Sequence, residues 1–237
     1  MQQIHFAIAV FEFVVLLFSL TVHECAHAWT ASRLGDQTAR MQGRITLNPA
    51  YHIDPFGTLL IPALAIFGPL IGFSFFSGAL IGWAKPTPVI SRNFRKIRRD
   101  ENLVTLAGPA SNLLIALAAL SVLVVIELVV PGGREMVHAT FSGGLKVGVQ
   151  SNLQAVVLLS TVAILVNLSL MLFNLLPIPP LDGSHLVRNI LPYNAVQVYD
   201  RIPWWLGWIL MFVVGSLVLN LLLPPLLGIF NVILHIV

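Results

Sequence analysis

Residues 6–34 read FAIAVFEFVVLLFSLTVHECAHAWTASRL. From Phe6 to Val22 the only charged residue is Glu12. A hydrocarbon core about 30 Å thick takes about 20 helical residues. The stretch therefore predicts a membrane span over about residues 6–29, with Trp29 at the interface and Arg33 just outside. Helical character is expected to persist to Leu34, where Gly35 supplies a stop signal.

The rest of the chain has the same character. Of 237 residues, 57% are hydrophobic and 10% charged, with a mean hydropathy of +0.88. An average soluble domain carries about 25% charged residues, so this composition excludes a disordered chain, a nucleic-acid-binding domain and an ordinary cytosolic enzyme. The formal charge of +3 suits basic loops flanking a bilayer rather than a polyanion partner. The single cysteine, Cys25, leaves no internal disulfide framework. The fold class is an all-α polytopic membrane protein.

Further spans are expected over about residues 102–130, 152–176 and 204–223, the last ending at Pro224-Pro225. Residues 56–83 are also apolar, but Pro62, Gly68, Pro69, Gly72, Gly78 and Gly82 interrupt them. The pieces on either side of Gly68-Pro69 are short for full spans and suit a re-entrant hairpin. Between the first span and this segment, Arg40 to Leu47 alternates weakly around a glycine and reads as a short membrane-associated β-hairpin.

Basic residues orient the bundle. With 56–83 entering and leaving on one side, that side carries Arg33, Arg40, Arg44, Lys85, Arg92, Arg95, Lys96, Arg98, Arg99, Arg188 and Arg201, leaving Arg134 and Lys146 opposite. Basic loops stay cytoplasmic, so the arrangement predicts a multi-pass protein, of a bacterial cell membrane by expectation, with the end of the first span facing the cytoplasm.

His23-Glu24-Cys25-Ala26-His27 fits H-E-x-x-H. Histidines at i and i+4 share a helix face, so both imidazoles can reach one tetrahedral zinc. Glu24 is then near enough to accept a proton from water at the metal without being a ligand. A catalytic zinc usually has three protein ligands. Glu12 lies about 16 Å back along the helix axis and is excluded; Glu127 falls toward the far end of the second span. Asp182 follows three prolines in the segment PIPPLD and precedes Gly183, on the same side as His23, and is the favoured third ligand. His52, Asp54 and His185 are weaker candidates.

HECAH at 23–27, GPASN at 108–112 and NLLPIPPLDG at 174–183 together resemble the site-2 proteases, zinc metalloproteases that cleave within the membrane. LNPAYHIDPFGT at 47–58 and GWAKPTPV at 82–89 extend the resemblance along the chain. It implies one zinc per chain on His23, His27 and Asp182, with Glu24 as general base and acid. It also implies that Asn112, in the second core helix, helps to position substrate; an interhelical hydrogen bond beside close Gly108-Pro109 packing is the other reading of that residue. The loops are short for the PDZ or CBS domain that many family members carry, so a minimal form is expected.

The expected substrates are transmembrane proteins, whose helices must unwind because a helical carbonyl is already hydrogen-bonded. A strand edge at residues 40–47 would offer replacement partners. The basic run Arg92–Arg99 is expected to contact lipid headgroups. Two other functions compete: a membrane metal transporter, which would stage ligands along a path rather than gather them at one depth, and an inactive binder of membrane segments.

Overall fold

The structure is a computed structural model that describes residues 2–73, 82–142 and 151–236. In chain order its α-helices are α1 (Gln2–Leu34), α2 (Thr38–Met41), α3 (Ile61–Phe67), α4 (Ile97–Val129), α5 (Gly133–Ser142), α6 (Asn152–Asn174), α7 (Asp182–Ile190), α8 (Tyr193–Tyr199) and α9 (Trp204–Ile236). Among the described residues, α1, α4, α6 and α9 are long and apolar enough to cross a membrane.

The expected spans correspond to these four helices, with one difference. The last was expected to stop at Pro224-Pro225, yet α9 runs through both prolines to Ile236. Its distal turns carry Phe230 and Leu234, which are buried against Leu123 of α4, Val137 of α5 and Val157 and Ile164 of α6. Packing outweighs the backbone hydrogen bonds that the two prolines cannot make.

Helix α6 is the axis of the bundle. Its most apolar window is 61% buried, against 18% for α9, and it packs on α1, α4 and α9. A helix apolar all round belongs inside. Leu158, Val162, Val166 and Leu170, one turn apart, meet Val15, Leu16 and Leu20 of α1.

The interrupted apolar segment begins as a π-helix (Pro55–Leu60), continues as α3 and ends in a 3-10 turn (Gly68–Ile71). At about 1.5 Å per residue this is too short to span. The Trp83 amide donates to the Gly57 carbonyl at 3.0 Å, and the Thr58 hydroxyl donates to the Trp83 carbonyl at 2.7 Å. Both flanks of the expected re-entrant hairpin therefore meet at one level, although residues 74–81 lie outside the described residues.

No strand occurs among the described residues, so the β-hairpin expected at Arg40–Leu47 is corrected. Asp36 accepts hydrogen bonds from the Thr38 amide and hydroxyl, which starts the short helix α2. Gly43, at φ 68°, then turns the chain so that the Arg44 amide bonds to the Ala39 carbonyl. The weak alternation of residues 40–47 belongs to the end of α2 and the turn at Gly43, and the strand edge expected there for a substrate is absent among the described residues.

Candidate metal centre

Helix α1 carries His23 and His27 one turn apart, both buried, with Nε2 atoms 3.0 Å apart. Each ring is fixed from behind by α4. His23 Nδ1 donates to the Asn112 side-chain oxygen at 2.7 Å, and His27 Nδ1 donates to the Val104 carbonyl at 2.7 Å. With both Nδ1 atoms so engaged, both Nε2 atoms present a lone pair to the same point. Asn112, fully buried, passes the connection on by donating to Asn167 of α6 at 3.0 Å.

Gly108 explains how α4 comes so close. A Cβ there would lie 2.4 Å from His27 Nε2 and 2.5 Å from His23 Nε2. Only glycine leaves room for the two rings.

The third side chain comes from the opposite direction. The proline-dense end of α6 breaks the helix, and Asp182 opens α7. The turn depends on Gly183, where a Cβ would meet the Leu175 and Leu176 carbonyls at 2.3 and 2.4 Å. Asp182 Oδ2 thus reaches 3.0 Å from His23 Nε2 and 3.4 Å from His27 Nε2. It is buried and without a hydrogen-bond partner among the described residues.

Donors on a tetrahedral zinc at 2.0–2.1 Å lie about 3.3 Å apart. The three separations here, 3.0, 3.0 and 3.4 Å, match that spacing. Two neutral imidazoles and a carboxylate also form a donor set that zinc accepts. The residues therefore fit the ion.

Glu24 is one position away, and its contacts were not legible in the sequence. The segment from Gly82 to Ile90 has no regular secondary structure and crosses the site as a strap. It is anchored at Trp83 on Gly57, at Lys85 on the His52 carbonyl (2.8 Å), and at Ile90 on Asp36 (2.7 Å). At its middle, Thr87 donates to Glu24 Oε2 from its amide at 2.9 Å and its hydroxyl at 2.8 Å. A cavity of about 610 Å³ opens beside His23 and His27, lined by Glu24, Thr87, Trp83, Trp208, Asp182 and His185 among others. Trp83 and Trp208 meet edge-on across it, 5.0 Å between ring centres.

The other sequence candidates separate clearly. His52 is buried and its Nε2 donates to the Thr46 carbonyl. Asp54 caps the π-helix through the Phe56 and Gly57 amides. His185 faces the cavity without joining the donor set. Glu127 stands by His138 at the far end of α4. Asn112 is not among the cavity-lining residues; here it forms the interhelical hydrogen bonds of its alternative reading.

The sequence model of peptidase family M50 matches residues 11–214. The chain is 42% identical over 76% of its length to YwhC of Bacillus subtilis, named as a zinc metalloprotease, and covers 68% of that protein. It is 33% identical over 70% of its length to Rip2 of Mycolicibacterium smegmatis, which bears the same kind of name, and spans 52% of it. Rip2 of Mycobacterium tuberculosis matches at 33% as well, again with 52% of that protein covered. No solved structure matches the chain.

Proposed function

The chain belongs to peptidase family M50, and on that footing we propose that it is an intramembrane zinc endopeptidase acting on the transmembrane segments of single-span proteins. The observation that carries the reading is the convergence of His23, His27 and Asp182 beside Glu24, at the end of a membrane-length helix and open to one cavity. One catalytic zinc per chain would be held by these three side chains. Zinc supplies a Lewis acid that makes water more acidic and polarises a peptide carbonyl.

The protein's own groups do the rest. Glu24 accepts the proton of the attacking water and delivers it to the leaving amine. Thr87 holds one oxygen of that carboxylate, leaving the other for the proton. Asn112 acts by fixing the His23 ring, and through it the alignment of the site, rather than by touching the substrate. The cavity walls shield an unwound stretch of substrate from lipid. The basic residues gathered at this end favour a cytoplasmic site, so water reaches it along a short polar path from that face.

The test is cleavage of a single-span protein co-reconstituted in vesicles, comparing wild type with Glu24→Gln at equal zinc content. Removing a general base costs about 100- to 10,000-fold, so cleavage by wild type alone is expected. Equal cleavage by both would overturn the role of Glu24. No cleavage by either, with zinc bound, would shift the reading to a binder or a transporter, and metal flux would be measured next.

A further inference from the structure

A second cluster of carboxylate and imidazole side chains lies at the opposite end of the bundle from His23. Glu127 stands in the last turn of α4, His138 projects from α5, and Asn231 and His235 occupy the final turns of α9. The Glu127 side chain is 2% exposed, and neither of its oxygens has a hydrogen-bond partner among the described residues. The same holds for both ring nitrogens of His138 and for the buried side-chain oxygen of Asn231. His138 Nε2 lies 3.5 Å from Glu127 Oε1, and the His235 ring packs against the His138 ring with centres 4.3 Å apart. Arg134 pins the arrangement by donating to the His235 carbonyl at 3.2 Å.

A carboxylate buried at a membrane helix end without hydrogen bonds is costly, and such groups are retained where they bind something. A charge-assisted hydrogen bond between His138 and Glu127 would bring the atoms to about 2.7–2.9 Å. The observed 3.5 Å is too long for that, but close to the roughly 3.3 Å between two donors on one tetrahedral ion. Carboxylate with imidazole selects zinc-like cations over calcium or magnesium, which take oxygen ligands.

We propose that Glu127 and His138, joined by His235, form a second binding site for a divalent transition-metal ion on the membrane face opposite the catalytic centre. His235 completes it by turning its ring, which sits at an exposed helix end. An ion there ties α4, α5 and α9 together and makes the bundle's far end responsive to external zinc. The proposal is independent of proteolysis, because none of its residues belongs to the catalytic centre.

The experiment uses the tag-free full chain in detergent with His23→Ala and His27→Ala, which removes the first site's imidazoles. Zinc alone is titrated, and bound metal is read by equilibrium dialysis with elemental analysis. One zinc per chain is expected, falling at least tenfold in affinity when Glu127→Gln or His138→Gln is added. Magnesium in place of zinc should show no uptake. Absence of zinc uptake, or uptake unchanged by both substitutions, overturns the site. Should the double-alanine protein fail to fold, the same comparison is made in the otherwise wild-type chain. Two ions then fall to one with Glu127→Gln, and a constant stoichiometry of one overturns the proposal.

Discussion

Thr87 holds the Glu24 carboxylate by two hydrogen bonds to the same oxygen, one from its backbone amide and one from its hydroxyl. The residue lies between Pro86 and Pro88, neither of which has an amide to offer. The restricted backbone on either side keeps Thr87 extended over the site, and the anchors at Trp83, Lys85 and Ile90 hold the strap in place. Two hydrogen bonds from one residue to the same oxygen hold the Glu24 side chain in one rotamer beside the two imidazoles.

Replacing Thr87 with valine removes the hydroxyl and keeps the shape and the amide. A hydrogen bond to a charged group contributes about 1.5–3 kcal/mol, and tenfold in rate corresponds to about 1.4 kcal/mol. Thr87→Val should lower kcat about tenfold or more with KM and zinc content nearly unchanged, and Thr87→Ser should restore it. Steady-state cleavage at matched zinc content checks this. An unaltered kcat in the valine variant would show that the amide alone positions Glu24.

Asn112 is predicted to act on metal affinity rather than on substrate binding. Its side-chain oxygen fixes the His23 tautomer from α4, and removing such a partner typically costs 10- to 100-fold in metal affinity. Asn112→Ala should weaken zinc binding by that factor in competition with a chelator. Near-normal kcat and KM should return once zinc is saturating. A raised KM at full zinc occupancy would instead return Asn112 to the substrate.

Gly108→Ala separates stability from metal binding. Alanine favours a helix over glycine by up to about 1 kcal/mol, so α4 itself gains. The added methyl, however, would stand 2.4–2.5 Å from both imidazoles, and the rings must turn away. The variant should still fold, because the helix gain offsets part of the cost of the displaced rings, and it should lose most of its zinc. Metal analysis beside thermal unfolding reads both, and full zinc content would mean that α4 can retreat.

Local spacing in the sequence pointed to the candidate metal centre, and composition pointed to the fold. His23 and His27 were legible because a helix places i and i+4 on one face, whatever surrounds it. Asp182 was legible because prolines end α6 just before it and the run resembles a known motif. The four spans followed from long apolar runs, which leave a backbone in lipid no alternative to helix. What was not legible depends on distant pairing. Thr87 meets Glu24 across 63 positions, and nothing within GWAKPTPV marks the threonine as its partner. The reading of residues 40–47 as a hairpin failed for the converse reason. Local alternation was weak, and a single aspartate four residues upstream, bonded to the Thr38 amide and hydroxyl, settled the backbone as helix and turn. Likewise, Pro224-Pro225 looked like an end because its cost is local, whereas the packing of Phe230 and Leu234 that outweighs it is not.

That aspartate supports the last prediction. Asp36 is fully buried and accepts from the Thr38 amide and hydroxyl, the Ile90 amide and the Asn93 side chain. It therefore ties the chain leaving α1 to the end of the strap that carries Thr87. Burial pushes its carboxyl upward, but the hydrogen bonds from Ile90, Thr38 and Asn93 together outweigh that and lower it below the ordinary value. A carboxyl lowered on folding adds stability that is fully present above its unfolded pKa, about 3.9, and is lost as pH falls through the lower folded value. Wild type should thus be more stable than Asp36→Asn from neutral pH down to about pH 5, with the difference shrinking below about pH 4. Thermal unfolding of both proteins in one detergent across pH 3–7 checks the sign. A difference that stays constant over that range would assign the role to the shape of Asp36 rather than its charge. Because the strap depends on this anchor, Asp36→Asn should also reduce cleavage at neutral pH with zinc content preserved.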